Sequence, residues 1–169
     1  MKDKIIALNE IDAFVFDFDG VLTNNFVHLD CNGKEIVTCS RADGLAFDAL
    51  HRLQKPMYIL STEKNSVVAA RARKLKVPVL QGIDSKVKEI KNLAVREGID
   101  LQNVLYVGND LNDYHAMQLC GYTACPEDSH KLIKSIATVT LKTKGGNGAI
   151  RELLEDTLQM DLIKILYLE

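Results

Sequence analysis

Short apolar runs alternate with amphipathic segments along most of the chain. The apolar runs are typical of buried parallel strands. They lie near 13–17, 57–61, 78–80, 104–107, 122–124 and 138–141. Apolar residues recur at helical spacing within 43–54, 65–75 and 87–94, and again from Ala149 onward. This alternation predicts an α/β fold with a parallel sheet.

One stretch interrupts the alternation directly after the first predicted strand. Residues 26–29 and 35–38 predict two strands around the turn-forming segment 30–33, which ends in Asn-Gly. The resulting β-hairpin insertion spans about 24–40 and is too small to form a separate cap domain. Because an isolated hairpin is only marginally stable in water, we expect it to pack against another surface, such as a second subunit.

Composition excludes several classes of protein. The 169 residues carry a net charge of −2, with 47% hydrophobic and 26% charged residues, which predicts one domain over 1–169 with a substantial core. No broad basic surface favours nucleic acid, and no apolar stretch approaches the roughly 20 residues that span a membrane. No secretory signal follows Met1, so we expect a cytoplasmic protein with free thiols. A disulfide between Cys31 and Cys39 across the hairpin is the less favoured alternative.

Two acidic clusters follow apolar runs, at 17–19 and at 109–113. Grouped carboxylates raise each other's pKa, so such a group usually needs a counter-charge such as Mg²⁺. If the sheet order is 3-2-1-4-5, the two clusters meet at the point where the strand order reverses, which is where ligands bind in such sheets. An Asp-x-Asp alone is more often a solvated turn. The residues expected to converge are Asp17, Asp19, Ser61, Lys86, Asn109, Asp110 and Asp113.

Two polar residues at other strand ends suit an anionic ligand. The Ser61 hydroxyl could donate to a phosphate oxygen, cap a helix beginning near Glu63, or do both. Lys86 falls in the first turn of a helix that Asp84 or Ser85 is expected to cap. A cation opposes the usual charge preference there, which indicates a nearby anion unless the side chain extends to solvent.

Taken together, these motifs resemble those of the haloacid dehalogenase-like phosphotransferases. The resemblance rests on DFDGV (17–21), Ser61, Lys86 and GNDLND (108–113). The hairpin and the segments RADG, LSTEKN, ARARKLKV, QGIDSK and KGGNGAIRE are similar to the capless 3-deoxy-ulosonate-phosphate phosphatases, over about 11–158. That subgroup contains 3-deoxy-D-manno-octulosonate 8-phosphate phosphatases, nine-carbon 9-phosphate phosphatases and C-terminal domains of acylneuraminate cytidylyltransferases. The resemblance implies a three-layer, Rossmann-like parallel sheet flanked by helices, with no large cap.

The resemblance also implies catalytic roles. Asp17 would be the nucleophile that forms an aspartyl-phosphate, and Asp19 would protonate the leaving oxygen and then activate water. Ser61 and Lys86 would hold the phosphoryl oxygens, and Lys86 would also neutralise Asp17. Asp17, the backbone carbonyl of Asp19, and Asn109 would bind Mg²⁺.

The second acidic cluster departs from the subgroup pattern at Asn109, where many of these phosphatases have Asp. An amide oxygen can still bind Mg²⁺, but it carries less charge, so metal affinity could be lower. Asp110 is a further candidate ligand, directly or through water, and Asp113 is expected to support the ligands from behind. The Gly-Asn-Asp form resembles the cytidylyltransferase domains, some of which serve assembly rather than catalysis.

Substrate-binding residues are predicted mainly through the resemblance, which places some of them near the substrate of a neighbouring subunit. A basic solvated helix face and ordinary loop positions are the alternative interpretation. The candidates are Arg41, Asp43, Thr62, Glu63, Arg71 and Lys74. In the subgroup, the glycine-rich segment 145–148 approaches an active site, and Arg151 is often an anchor.

The sequence therefore predicts a Mg²⁺-dependent phosphatase acting on a phosphorylated 3-deoxy-2-ulosonic acid of eight or nine carbons. A homotetramer, with hairpins at the subunit interfaces, would close each site in place of a cap. The alternative is an assembly domain associated with a CMP-acylneuraminate synthetase, with weak or no phosphatase activity. A phosphatase of another metabolite is a third hypothesis.

Overall fold

A computed structural model describes residues 6–168 of the chain. The strands are β1 (Ala13–Phe16), β2 (Thr23–Leu29), β3 (Glu35–Cys39), β4 (Met57–Leu60), β5 (Val79–Leu80), β6 (Val104–Val107), β7 (Tyr122–Cys125) and β8 (Val139–Thr140). The helices are α1 (Arg41–Arg52), α2 (Ser66–Leu75), α3 (Lys86–Glu97), α4 (Tyr114–Met117), α5 (Lys131–Ile136), α6 (Ala149–Glu152) and α7 (Leu162–Tyr167). A π-helical turn, Leu153–Thr157, follows α6.

Six parallel strands form one sheet in the order β5-β4-β1-β6-β7-β8. This order contains the predicted 3-2-1-4-5 arrangement and adds β8 at the edge. Phe16, the last residue of β1, pairs with Ile59 on β4 and with Val107 on β6. The carboxyl ends of these three strands therefore lie side by side, as the sequence predicts for the two acidic clusters.

Both faces of the central strand β1 are buried, which explains its uninterrupted apolar sequence. Phe14 and Phe16 point into a core cluster on one face, where the ring of Phe16 packs edge-on against Phe47 at 4.9 Å. Ala13 and Val15 point into a second cluster on the other face. Helices cover both faces, so the predicted three-layer α/β architecture is confirmed.

The inserted hairpin is also confirmed, as a separate two-stranded antiparallel sheet of β2 and β3. Its turn is stabilised by the Asp30 carboxylate, which accepts hydrogen bonds from the backbone N–H groups of Asn32 and Lys34. Cys31 lies in this turn, whereas Cys39 pairs across the ladder with Thr23. The two cysteines therefore do not face each other, and all four thiols are free.

Some helix boundaries differ from the predicted ones. Helix α2 begins at Ser66 rather than near Glu63, because the Asn65 side chain accepts the N–H of Val67 and caps the helix there. The predicted C-terminal helix consists of the short helix α6 and the π-helical turn. Helices α4 and α5 are too short to show a helical period in the sequence.

Within residues 6–168, no helix is both long and apolar enough to cross a membrane. The prediction that no secretory signal is present concerns the segment beginning at Met1–Lys4, and these four residues lie outside the described ones.

Candidate active site

The first acidic residue, Asp17, continues directly from β1. Its backbone N–H still donates to the carbonyl of Val107, so the sheet fixes the position of its Cα. One carboxylate oxygen, Oδ1, accepts the N–H of Phe18 at 2.7 Å and lies 2.6 Å from the Lys86 ammonium. Asp17 is only 3% exposed. The fold therefore holds this carboxylate rigidly at the end of the central strand.

Lys86 is the first residue of α3 and lies almost completely buried beneath the strand ends. Ser85 caps the helix, as one of the two sequence alternatives predicts. The Lys86 ammonium contacts Asp17 at 2.6 Å and Asp113 at 2.7 Å. Burial alone would lower the pKa of Lys86, but the two carboxylates outweigh it and raise that pKa. The sequence predicted an anion near Lys86, because a cation is unfavourable in the first turn of a helix. The carboxylates of Asp17 and Asp113 are such anions.

Asp113 ties together the lysine and the loop that follows β6. Its Oδ1 accepts from Lys86 and from the Tyr106 hydroxyl, at 2.7 and 2.9 Å. Its Oδ2 accepts the backbone N–H of Asn109 at 2.9 Å and that of Asp110 at 3.3 Å. The carboxylate is completely buried, where it contacts both Lys86 and the backbone of the loop after β6. Burial, then the Asp113 charge, raises the pKa of Asp17, and Lys86 opposes that rise.

Asp19 lies beside Asp17 in a tight turn that only glycine can complete. Gly20 has φ +78°, and a Cβ on it would lie 1.9 Å from the side-chain nitrogen of Asn109. The backbone N–H of Gly20 donates to the Thr23 hydroxyl at 3.1 Å. Burial and the charge of Glu63 raise the pKa of Asp19. Asp19 therefore keeps its proton to a higher pH than an exposed aspartate.

The glycine-rich loop before α6 packs against this turn. A Cβ on Gly145 would lie 2.0 Å from the carbonyl oxygen of Gly20, so the two backbones touch directly. Gly146 donates its N–H to the carbonyl of Val21 at 3.0 Å. The loop therefore buttresses the backbone that carries Asp17 and Asp19.

Asp43 anchors the helix that follows this loop. Its Oδ1 accepts the backbone N–H groups of Ile150 and Arg151, at 2.9 and 3.1 Å. The residue is 1% exposed, and burial raises its pKa to about 6. The carboxylate of this predicted substrate-binding residue is therefore buried against α6, and within one chain it does not line the cleft at the strand ends.

A cleft of about 360 Å³ opens at these strand ends. Among the described residues, its lining contains four carboxylates and no lysine, arginine or histidine. The lining residues are Asp17, Asp19, Asn25, Ser61, Thr62, Glu63, Asn109, Asp110, Leu111 and Asn112. A phosphate could not enter such a site without a cation to offset the repulsion.

The oxygen donors of the cleft suit a hard divalent cation. The side-chain oxygen of Asn109 is buried and has no hydrogen-bond partner among the described residues, although buried polar atoms are normally paired. Within 6–168, no three side chains of the types His, Cys, Asp and Glu form a metal cluster. The cleft lining offers the amide oxygen of Asn109 and carboxylate oxygens as donors, and these are ligands that Mg²⁺ accepts.

The structure brings Ser61, Thr62 and Glu63 into the cleft together with the two aspartates. Ser61 is buried, and its hydroxyl accepts the N–H of Glu63 at 3.2 Å. The Glu63 carboxylate accepts the N–H groups of Lys64 and Asn65, which fixes this loop.

Besides Asp43, three predicted substrate-binding residues lie outside the cleft. Arg41, Arg71 and Lys74 line a separate hollow of about 370 Å³ between α1 and α2. Arg71 donates from Nη2 to the carbonyl of Ser40 at 2.7 Å. Within one chain, these cations and the carboxylate cleft therefore form two distinct surfaces.

Sequence reasoning missed three residues of the cleft lining: Asn25, Leu111 and Asn112. Asn25 has φ +63°, a conformation that asparagine tolerates better than most residues. The pair Asn24-Asn25, at the start of the hairpin strand β2, was the available signal. Leu111 and Asn112 lie inside the GNDLND motif, where their spacing alone does not distinguish cleft residues from supporting ones.

Comparison with known proteins gives sequence and structural relatives. A family model described as haloacid dehalogenase-like hydrolase matches residues 58–153. The 3-deoxy-D-manno-octulosonate 8-phosphate phosphatase KdsC of Escherichia coli (strain K12) is 29% identical over 154 residues, covering 90% of this chain and 82% of that protein. N-acylneuraminate cytidylyltransferase A of Danio rerio is 26% identical over 82% of this chain, but the match covers only 33% of that protein.

Solved structures agree with these matches. A protein from Streptomyces avermitilis, described as a HAD family hydrolase, is 43% identical with a TM-score of 0.91, covering 95% of this chain and 92% of that one. The 3-deoxy-D-manno-octulosonate 8-phosphate phosphatase of Moraxella catarrhalis, solved with magnesium, phosphate and KDO, is 27% identical with a TM-score of 0.83. That match covers 92% of this chain and 87% of the other. The chain therefore belongs to the haloacid dehalogenase-like hydrolase family, and it is a phosphatase enzyme of that family.

Proposed function

We propose that this phosphatase is Mg²⁺-dependent and removes phosphate from a phosphorylated 3-deoxy-2-ulosonic acid through an aspartyl-phosphate. The observation that carries the proposal is the buried contact of Asp17 with Lys86, directly beneath a cleft lined by Asp19, Ser61 and Asn109. This arrangement offers a fixed nucleophile, a proton donor, a hydroxyl for phosphoryl oxygens and oxygen donors for a metal. Phosphoryl transfer depends chiefly on such positioning and charge stabilisation.

In the first step, an oxygen of the Asp17 carboxylate attacks phosphorus. The bond between phosphorus and the sugar oxygen breaks, and that oxygen takes the electron pair and a proton from Asp19. The raised pKa of Asp19 favours the protonated form that this step requires. Lys86 and the Ser61 hydroxyl offset charge on the phosphoryl oxygens.

In the second step, water attacks phosphorus and replaces Asp17. Asp19, now ionised, accepts a proton from this water, and the bond between phosphorus and Asp17 breaks. Inorganic phosphate leaves, and Asp17 regains its carboxylate. The glycine-rich loop around Gly145 holds the turn that carries both aspartates, so neither has to move far between steps.

Mg²⁺ would be held by Asp17, the backbone carbonyl of Asp19, and Asn109, with Asp110 nearby. When bound, the ion would supply positive charge that brings a phosphate to the carboxylates and stabilises charge developing on it. The unpartnered, buried side-chain oxygen of Asn109 supports this placement.

The substrate assignment rests on the relatives named for octulosonate 8-phosphate. Arg41, Arg71 and Lys74 are candidates for the sugar carboxylate, and they would reach the cleft of a neighbouring subunit. That arrangement calls for an oligomer, which we propose to be a homotetramer with the hairpins at its interfaces. The exposed apolar residues Phe26 and Leu29 on β2 support burial of the hairpin between subunits.

We further propose that the chain acts as one phosphatase domain over 1–169 and works in the cytoplasm, where its four free thiols would stay reduced.

An assembly role associated with a CMP-acylneuraminate synthetase is the second candidate. The match to part of a cytidylyltransferase and the presence of Asn109 favour it. The retained set of Asp17, Asp19, Ser61 and Lys86 favours catalysis.

The test measures phosphate release from octulosonate 8-phosphate and from nonulosonate 9-phosphates, with Mg²⁺ and with EDTA. We expect Mg²⁺-dependent release from one of these substrates. Asp17→Asn should lower kcat by about 10⁴-fold or more, because it removes the nucleophile. Asp156→Asn, which changes an exposed aspartate in the same way, serves as the control.

The outcomes separate the candidates. Release by the wild type that persists in Asp17→Asn would contradict the covalent mechanism. Phosphate release that EDTA does not affect would contradict the proposed requirement for Mg²⁺. No release from any of these substrates by a folded oligomer would favour the assembly role.

A further inference from the structure

Strand β6 carries a single polar side chain among three aliphatic ones, and it points toward the buried ion pair. Tyr106 is completely buried between Val15 on β1 and Thr123 on β7 in the sheet register. Its hydroxyl donates to Oδ1 of Asp113 at 2.9 Å. A buried phenol needs such a partner, but phenylalanine would fill the same apolar space without one.

The oxygen that Tyr106 contacts is the same one that binds Lys86. Oδ1 of Asp113 accepts from the Lys86 ammonium at 2.7 Å, and that ammonium lies 2.6 Å from Asp17. Oδ2 is occupied by the backbone N–H groups of Asn109 and Asp110. The Asp113 carboxylate is therefore held on both sides, and its rotation would break contacts to the loop that follows β6.

We propose that Tyr106 is a positioning residue that keeps the Lys86 ammonium in contact with both Asp113 and the nucleophile Asp17. This inference rests on the proposed function, because Asp17 has the role of nucleophile there. The hydroxyl satisfies part of the hydrogen-bonding capacity of Oδ1, so Asp113 holds Lys86 without drawing it away from Asp17. Tyr106 does not line the cleft and acts only through Asp113.

The hydroxyl stays a donor throughout the working pH range. Burial and the charges of Asp113 and Asp17 raise the pKa of Tyr106 well above its ordinary value. A neutral donor is also the suitable chemistry here, because a second cation would compete with Lys86 for both carboxylates.

The first experiment compares Tyr106→Phe with the wild type and with Tyr122→Phe. Tyr122 lies on the neighbouring strand β7, and its hydroxyl donates to Glu10, away from the cleft. We expect Tyr106→Phe to lower kcat by roughly tenfold, as for loss of a hydrogen bond to a charged group, with KM within about twofold of the wild-type value. Tyr122→Phe should leave both constants unchanged. An unchanged kcat in folded Tyr106→Phe, or a change confined to KM, would overturn the proposal.

A double-mutant comparison tests whether Tyr106 acts through Asp113. If it does, Tyr106→Phe should cause less than about a further twofold loss of kcat when Asp113→Asn is already present. If the kcat of the double variant instead falls by the product of the two single-variant losses, the residues act independently. That result would contradict the proposal that Tyr106 acts through Asp113.

A readout without turnover distinguishes this inference from the proposed function. With Mg²⁺ present, beryllium fluoride can be titrated against each variant as a mimic of the phosphoryl group on Asp17, and the adduct followed by ¹⁹F NMR. We expect the beryllium fluoride concentration that gives half-maximal adduct to be roughly tenfold higher for Tyr106→Phe than for the wild type or Tyr122→Phe. Equal titrations would overturn the positioning role. Absence of sugar-phosphate turnover by the wild type would count against the proposed function only.

Discussion

The Lys86 ammonium lies 2.6 Å from the Asp17 carboxylate and 2.7 Å from Asp113, in a place where all three side chains are at most 5% exposed. One cation is thus shared by two carboxylates at the floor of the cleft. A buried charge that loses its partner costs much more than an exposed one, so this contact links stability directly to the chemistry of the site.

Replacing Lys86 by methionine should therefore destabilise the protein strongly. We expect a loss of about 3 to 5 kcal/mol in the free energy of unfolding at neutral pH, because two buried carboxylates lose their counter-charge. Denaturant unfolding without added metal measures it. Lys91→Met, an exposed change on the same helix, should be nearly neutral. Adding Asp113→Asn to Lys86→Met should recover part of the loss, and no recovery would contradict the electrostatic explanation.

Asn109→Asp tests the metal site. If Asn109 is a ligand, the added charge should tighten Mg²⁺ binding, so that half-maximal activity needs less Mg²⁺. Titration of activity against Mg²⁺ and calorimetry of Mg²⁺ binding both measure the effect. Asp110→Asn is the matched comparison, because it removes a charge from the adjacent position. An unchanged Mg²⁺ dependence in Asn109→Asp, with a weakened one in Asp110→Asn, would assign the ligand to Asp110.

The buried Asp43 should make stability depend on pH. Its pKa rises from 3.8 to about 6 in the folded protein, so between these values the folded state binds more protons than the unfolded state. By linkage, this group's contribution to stability is largest below pH 4 and is lost as pH rises through 6. At about 1.4 kcal/mol for each pKa unit, the change is on the order of 3 kcal/mol.

Asp43→Asn isolates this contribution, because an amide oxygen can still accept the backbone N–H groups of Ile150 and Arg151. We expect the stability of the variant, relative to wild type, to increase from pH 4 to pH 7. Chemical denaturation at a series of pH values measures this difference. Asp48→Asn, an exposed change on the same helix, should give a difference that varies little with pH. Parallel curves for wild type and Asp43→Asn would contradict the raised pKa.

The exposed apolar surface of the hairpin should control assembly. Phe26 is 70% exposed in the single chain, which is costly unless another subunit covers it. Phe26→Glu should shift a tetramer toward smaller species, as measured by light scattering or sedimentation. Val95→Glu changes a residue that is 85% exposed on α3 and should not affect assembly. A wild-type monomer at high concentration would contradict the proposed tetramer.

The strands β1, β4, β6 and β7 were predictable because each is a short, largely apolar run in which every residue is buried. The run that became β6 has the predicted bounds, and the predicted bounds of β1 differ only by Asp17, where the first polar group appears. The beginning of α2 was not predictable in this way. Ser61 and Asn65 can both cap a helix, and the Glu63 carboxylate decides between them by holding the N–H groups of Lys64 and Asn65.

The position of the site was predictable because the order of strands and helices along the chain determines which strand ends lie at the same edge of the sheet. Parallel strands joined by helices place their carboxyl ends at one edge, so Asp17, Asp19 and Asn109 had to lie close together once the fold was known. The residues Asn25 and Leu111 escaped prediction because their place in the cleft depends on how loops turn. Loop conformation reflects local backbone angles and packing rather than a repeating pattern.

The sequence by itself determined the α/β architecture, the hairpin insertion and the set of polar groups at the strand ends, because hydrophobic periodicity and the succession of elements along the chain do not depend on tertiary contacts. Only the tertiary structure decided which of those groups bind each other. Lys86 meets Asp113 across 27 positions of sequence, and Asp43 meets Ile150 across 107. Such pairings depend on the packing of whole helices against the sheet, and burial then makes each one strong, since no water competes for the same charges.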